Sequence, residues 1–137
     1  MSVPRGIRNN NPLNIRKGNN WKGERKVQTD KAFEEFETLQ YGLRAGLKLI
    51  RNQISGFNGS RPKFNTIGKL INVWAPPSEN ATNKYIDFVC QAVGKLPFDI
   101  IHEDDQKLIC EIARAMAFVE CGQWIDIDQF ESAWFLI

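Results

Sequence analysis

From Leu39 onward, apolar residues recur at helical spacing. Leu39, Leu43, Leu47, Ile50 and Ile54 form one stripe, with Thr38 as its N-cap and Gly56 as its stop. Residues 56–62 then read as a loop. Thr66 is placed to cap a short helix through Ile67, Leu70, Ile71 and Trp74, ended by Pro76-Pro77. Asn80-Ala81-Thr82 opens a third helix, with Tyr85, Phe88, Val89, Ala92 and Val93 as its buried stripe and Gly94 as its end. A fourth begins at Asp104 or Asp105 and runs through Val119. It is apolar nearly all round, the mark of a buried central helix. The last starts at about Asp126 or Asp128, with Phe130, Trp134 and Phe135 facing inward. The first 38 residues follow another rhythm. Leu13/Ile15, Val27 and Phe33/Phe36 predict three short strands of an antiparallel meander, turning at Gly18-Asn19-Asn20. The pattern as a whole predicts one domain over residues 1–137. Its fold class is mainly α (α+β), with an Asn-rich β-lobe at 1–38 and about five helices in a helical part at 39–137.

Composition narrows the class. At 42% hydrophobic and 25% charged, the chain is an ordinary globular one. No apolar run approaches the length of a bilayer span. Met1-Ser2-Val3-Pro4-Arg5 leads straight into polar residues without a secretory apolar segment, so work outside the cytoplasm would need another means of delivery. Cys90, Cys110 and Cys121 lack metal-ligand spacing and sit among apolar residues, as small hydrophobes do. With His102 the single histidine, no zinc site and no cofactor are expected. Charge is unevenly spread. Residues 1–31 hold eight Lys/Arg against Glu24 and Asp30, and residues 99–137 hold nine Asp/Glu against Lys107 and Arg114. The basic third could attract an anionic polymer or meet the acidic third within the fold.

One histidine leaves little room for nucleophile–His–acid chemistry, and no Gly-rich phosphate loop is present. Carboxylates remain, and glycoside cleavage can be run by carboxylates alone. Glu120 is the first candidate. It falls at the predicted end of the apolar helix, ahead of Gly122, which suits a left-handed C-terminal turn. There it faces the negative end of the helix dipole among apolar neighbours. Both raise a carboxyl pKa, as a general acid needs. Glu111 lies nine residues earlier and points about 180° away at ~100° per residue, so it belongs to the solvent face. Glu79 is a rival catalyst, but in Ser78-Glu79-Asn80 it equally suits a helix start. Four Asn lie within residues 9–14, in Gly6-Ile7-Arg8-Asn9-Asn10-Asn11-Pro12-Leu13-Asn14-Ile15-Arg16. Their amides suit tight turns or the N-acetyl groups of sugars. Trp74, Asn80 and Tyr85 could line a glycan groove, and Trp74 equally suits a core.

These blocks carry a resemblance. Residues 5–16, Trp21-Lys22-Gly23, Asp30-Lys31-Ala32-Phe33-Glu34-Glu35-Phe36 and Gly42-Leu43-Arg44-Ala45 resemble a family of bacteriophage and prophage virion-associated proteins with lysozyme-like, peptidoglycan-cleaving character. Residues 74–82, Tyr85, Ala113-Arg114-Ala115-Met116, Glu120 and Gly122 are similar to the same family, so the resemblance covers nearly the whole chain. Leu13 stands where that family usually has Gly. The resemblance implies a lysozyme-like fold. The motif order, Asn-rich segment first and Glu-bearing helix late, suggests a circular permutation of it. The resemblance also makes Asp30 the assisting carboxylate across the cleft, with Glu24 beside Trp21 as its substitute. Without a second carboxylate, the substrate's N-acetyl group would act instead, giving lytic transglycosylation rather than hydrolysis.

The expected function is therefore a murein glycosidase acting on β-1,4 bonds between N-acetylated amino sugars. Its catalytic residues would be Glu120 and Asp30, with Asn11, Asn14, Trp74, Glu79, Asn80 and Tyr85 binding substrate. Its expected partners are peptidoglycan strands and other virion proteins, with no nucleic acid, no membrane and no metal, as a monomer in the virion or host cytoplasm. Two alternatives stand. One is a non-catalytic virion or tail protein that binds the wall. The other is a nucleic-acid module using residues 5–26, whose cations lack the regular aromatic interleaving of a stacking platform.

Overall fold

The computed structural model describes residues 3–75 and 78–137, without the side chains of Glu79 and Asn80. Six helices follow one another: α1 (Arg5–Arg8), α2 (Leu39–Gly59), α3 (Ile67–Trp74), α4 (Glu79–Val93), α5 (Gln106–Cys121) and α6 (Ile127–Trp134). The caps follow the sequence. Thr38 and Thr66 accept the backbone N–H of Tyr41 and Lys69 (3.2 and 3.1 Å). Ser78 and Asp105 do the same at α4 and α5. Gly94 and Gly122 close α4 and α5 in the left-handed conformation. Regular α2 gives way at Gly56, where residues 56–58 form a left-handed turn. α3 ends with Ala75 extended (ψ 153°), as a residue before proline must be, while Pro76 and Pro77 lie outside the described residues.

Helix α5 is the axis of the domain. Nine of its sixteen residues are buried, from Leu108 to Cys121. It packs against α2, α4 and α6 around Leu47, Ile50, Ile86, Val89, Ile112, Met116 and Phe130. Two inward assignments change. On α4 the buried stripe is Thr82, Tyr85, Ile86, Val89 and Cys90, whereas Ala92 is exposed and Phe88 half-buried. On α6 Phe130 is fully buried but Phe135, just past the helix end, is 77% exposed.

The expected β-lobe is absent. Among the described residues there is no strand, and the first 38 residues hold only the short helix α1 and two isolated bridges, Arg16–Phe33 and Glu24–Phe36. Val27, assigned to the middle strand, is 75% exposed. The reason lies in the polar residues. Asn10 and Asn14 adopt positive φ (both 52°), and Gly18 and Gly23 add two more breaks, so no ladder can propagate. Side chains replace it. Buried Asn11 donates to the carbonyls of Ile15 and Glu34 (both 3.0 Å) and accepts the Ile15 N–H (3.0 Å). With the β-lobe gone, so is the α+β, permuted lysozyme-like architecture built on it; the described residues form an all-helical domain with an N-terminal cap of loops.

That cap sits on a smooth part of α2. A Cβ at Gly42 would overlap the Asn10 carbonyl oxygen. Leu13 is fully buried, its side chain against Gly46, and anchors the cap to the helical core.

Candidate functional site

Glu120 occupies the last turn of α5, where helix geometry leaves carbonyl groups without intrahelical partners. The Asn14 amide answers both needs, donating to Glu120 Oε1 (3.1 Å) and to its main-chain carbonyl (3.3 Å). Asn14 reaches this point because its positive φ turns the loop back after Pro12. Gly6 lets α1 close in alongside; a Cβ there would stand 3.2 Å from Cys121 Cβ and 3.2 Å from Asn14 Oδ1. From the other side, the Tyr85 hydroxyl of α4 lies 3.1 Å from Glu120 Oε2 and 3.4 Å from the Met116 carbonyl. Its single proton serves one acceptor at a time. Residues 14, 85 and 120 thus converge on one carboxyl group, though 106 positions separate the first from the last.

The surroundings raise the pKa of that carboxyl above its ordinary value. Burial raises its pKa, while the Asn14 and Tyr85 hydrogen bonds and the charge of Arg16 pull it down; burial wins. Tyr85 stays neutral, pushed well above the usual phenol range by its own burial and the charge of Glu120. The carboxyl opens on a cleft of about 490 Å³ between α4 and the end of α5, lined by Ala75, Thr82, Lys84, Tyr85, Phe88 and Val119 among others.

Other expected site residues have different surroundings. Asp30 is held by Arg5 in a two-pronged ion pair (2.5 and 2.6 Å), by Asn9 Nδ2 (2.9 Å) and by the N–H groups of Ala32 and Phe33 (2.9 and 3.0 Å). Arg5 holds its pKa far below the usual carboxylate range, with help from these other donors. With these contacts the carboxylate fastens the cap. The Asn11 amide is fully engaged inside the cap, away from solvent. Trp74 donates its Nε1–H to the Leu13 carbonyl (3.2 Å) and packs against the core, joining α3 to the cap. The side chains of Glu79 and Asn80 lie outside the described residues; their backbone forms the first turn of α4, beside Ala81 and Thr82 of the cleft.

Two features had no signal in sequence spacing. The Arg5–Asp30 clamp joins residues 25 apart, and Glu35 is a buried anchor. Burial would raise the Glu35 pKa, but the Thr29 hydroxyl (2.7 Å) and the N–H groups of Thr29 and Asp30 outweigh it and leave it lowered. Glu34, by contrast, is pushed up to about 7 by burial and by its neighbour Glu24.

Comparison with known proteins adds a phage connection. The chain is 40% identical over 94 residues to Protein P5 of Pseudoalteromonas phage PM2, a match covering 66% of this chain and 56% of that protein. The chain thus spans little more than half the length of the curated relative it matches. No family model matches it.

Proposed function

We propose that the protein is a peptidoglycan-cleaving glycosidase of phage origin, with Glu120 as its general acid and base. The observation that carries this reading is the shielded Glu120 carboxyl, met by an amide and a phenol and opening on a cleft. A neutral carboxyl in that position can protonate the glycosidic oxygen as the C1–O bond breaks, leaving an oxocarbenium-like sugar. The Glu120 carboxylate then takes a proton from the incoming oxygen, either water or the sugar's own C6 hydroxyl.

No second carboxylate lines the cleft among the described residues, and Asp30 is bound elsewhere. With Asp30 so bound, assistance by the substrate's N-acetyl group would end in closure by the C6 hydroxyl to a 1,6-anhydro product. The test is mass spectrometry of muropeptides released from purified sacculi. Anhydro ends are expected; hydrated reducing ends from the same bond would overturn the transglycosylase form. Sacculus binding with no release of muropeptides would favour the non-catalytic wall-binding reading. Similarity to a phage protein supports a virion-borne or lysis-stage setting.

A further inference from the structure

We propose that the glycan groove continues past the cleft at Glu120 onto an aromatic platform headed by Trp124, which holds a sugar ring distant from the cleaved bond. This rests on the glycosidase reading. Phe88 lines both the Glu120 cleft and a neighbouring cavity of about 590 Å³, so the two share a wall. In that second cavity Trp124 is 49% exposed although it sits between two helices, and exposed Val119 lies on the Glu120 side. The indole is held firmly. It stacks on Phe118 (centroids 4.4 Å, planes 17° apart), and Phe118 stacks on Phe88 (5.4 Å). Arg114 also lies over the indole, its guanidinium carbon 5.0 Å from the ring centroid and its position fixed by a hydrogen bond to the Ile125 carbonyl (2.7 Å). Gln91 and Glu111 add polar groups to the cavity wall.

An exposed, stacked aromatic ring in a cavity that also holds hydrogen-bonding side chains suits the apolar face and equatorial hydroxyls of a pyranose. It does not suit a fatty chain, since Gln91, Glu111 and Arg114 would lose their water without gaining partners. The geometry gives Glu111 a place as an acceptor for sugar hydroxyls, on the same helix as Glu120 and in the adjoining cavity.

The experiment is calorimetric titration of the non-cleaving Glu120→Gln protein with β-1,4-linked trimers and hexamers of N-acetylglucosamine. Trp124→Ala in that background is expected to weaken hexamer binding about tenfold and trimer binding little. Trp124→Phe should retain most of the affinity. Glu111→Ala, which leaves the stack intact, should also weaken the hexamer selectively. Equal hexamer affinity in the parent, Trp124→Ala and Glu111→Ala proteins would overturn the proposal, while loss of sacculus cleavage on Glu120→Gln would still stand. If Glu120→Gln cleaves sacculi normally, the glycosidase reading falls first and takes this platform with it.

Discussion

At the level of single residues, the proposed chemistry turns on how Glu120 is solvated. Tyr85 and Asn14 donate to the carboxylate, so each lowers its pKa against the push of burial. Removing the phenolic donor removes a downward pull and nothing that raises the value. Tyr85→Phe is therefore expected to move the alkaline limb of the pH–activity profile upward, because the acid keeps its proton to higher pH. A limb that moves downward would contradict the assignment. Asp30 should behave differently. Its folded pKa is depressed, so its stabilisation is present above the normal carboxylate range and lost as pH falls toward the folded value. Asp30→Asn is expected to lower the melting temperature at pH 7 while folded protein keeps measurable activity. Abolished activity at an unchanged melting temperature would restore it as a catalyst. Glu120 was legible because helix periodicity and Gly122 fixed its place at a helix end. The clamp on Asp30 was not legible, because its partner, Arg5, is distant in sequence and nothing in the spacing pairs them.

At the level of elements, the helices were legible and the cap was not. Periodicity of 3.6 and side-chain caps at Thr38, Thr66 and Asp105 act locally, so α2, α3 and α5 follow from the sequence. The alternation at Leu13/Ile15 and Phe33/Phe36 was equally real, and Leu13, Ile15 and Phe36 are buried. It nonetheless serves loops, because Asn11, Gln28 and Glu35 take up the backbone groups that a strand would have paired. The seam between cap and α2 depends on Gly42. Gly42→Ala would drive a methyl group into the Asn10 carbonyl, and a cost of about 1–3 kcal/mol or more is expected. Denaturant melts read this directly, and a stability equal to the parent would show that the cap can lift off α2 without penalty.

At the level of the whole molecule, no ion pair joins the basic first third to the acidic last third among the described residues. The ion pairs they hold are Arg5–Asp30, within the cap, and Arg51–Asp104, between α2 and the lead-in to α5. Arg16 of the cap instead acts on Glu120 by its charge. The cap also carries its own pH dependence. Glu34 keeps its proton to about pH 7 in the folded state, against an ordinary value of 4.5. A raised carboxyl pKa means stability that is complete at low pH and falls as pH rises from about 4.5 through about 7. Thermal melts should therefore show greater loss between pH 5 and 8 in the parent than in Glu34→Gln. Parallel curves would show that burial and Glu24 do not hold the Glu34 proton.

The central claim is that one shielded carboxyl performs the cleavage, and it is tested most directly by digesting purified sacculi with parent and Glu120→Gln proteins of matched melting temperature. The account predicts a rate lower by at least about 100-fold in the variant. Digestion at the parental rate would contradict it.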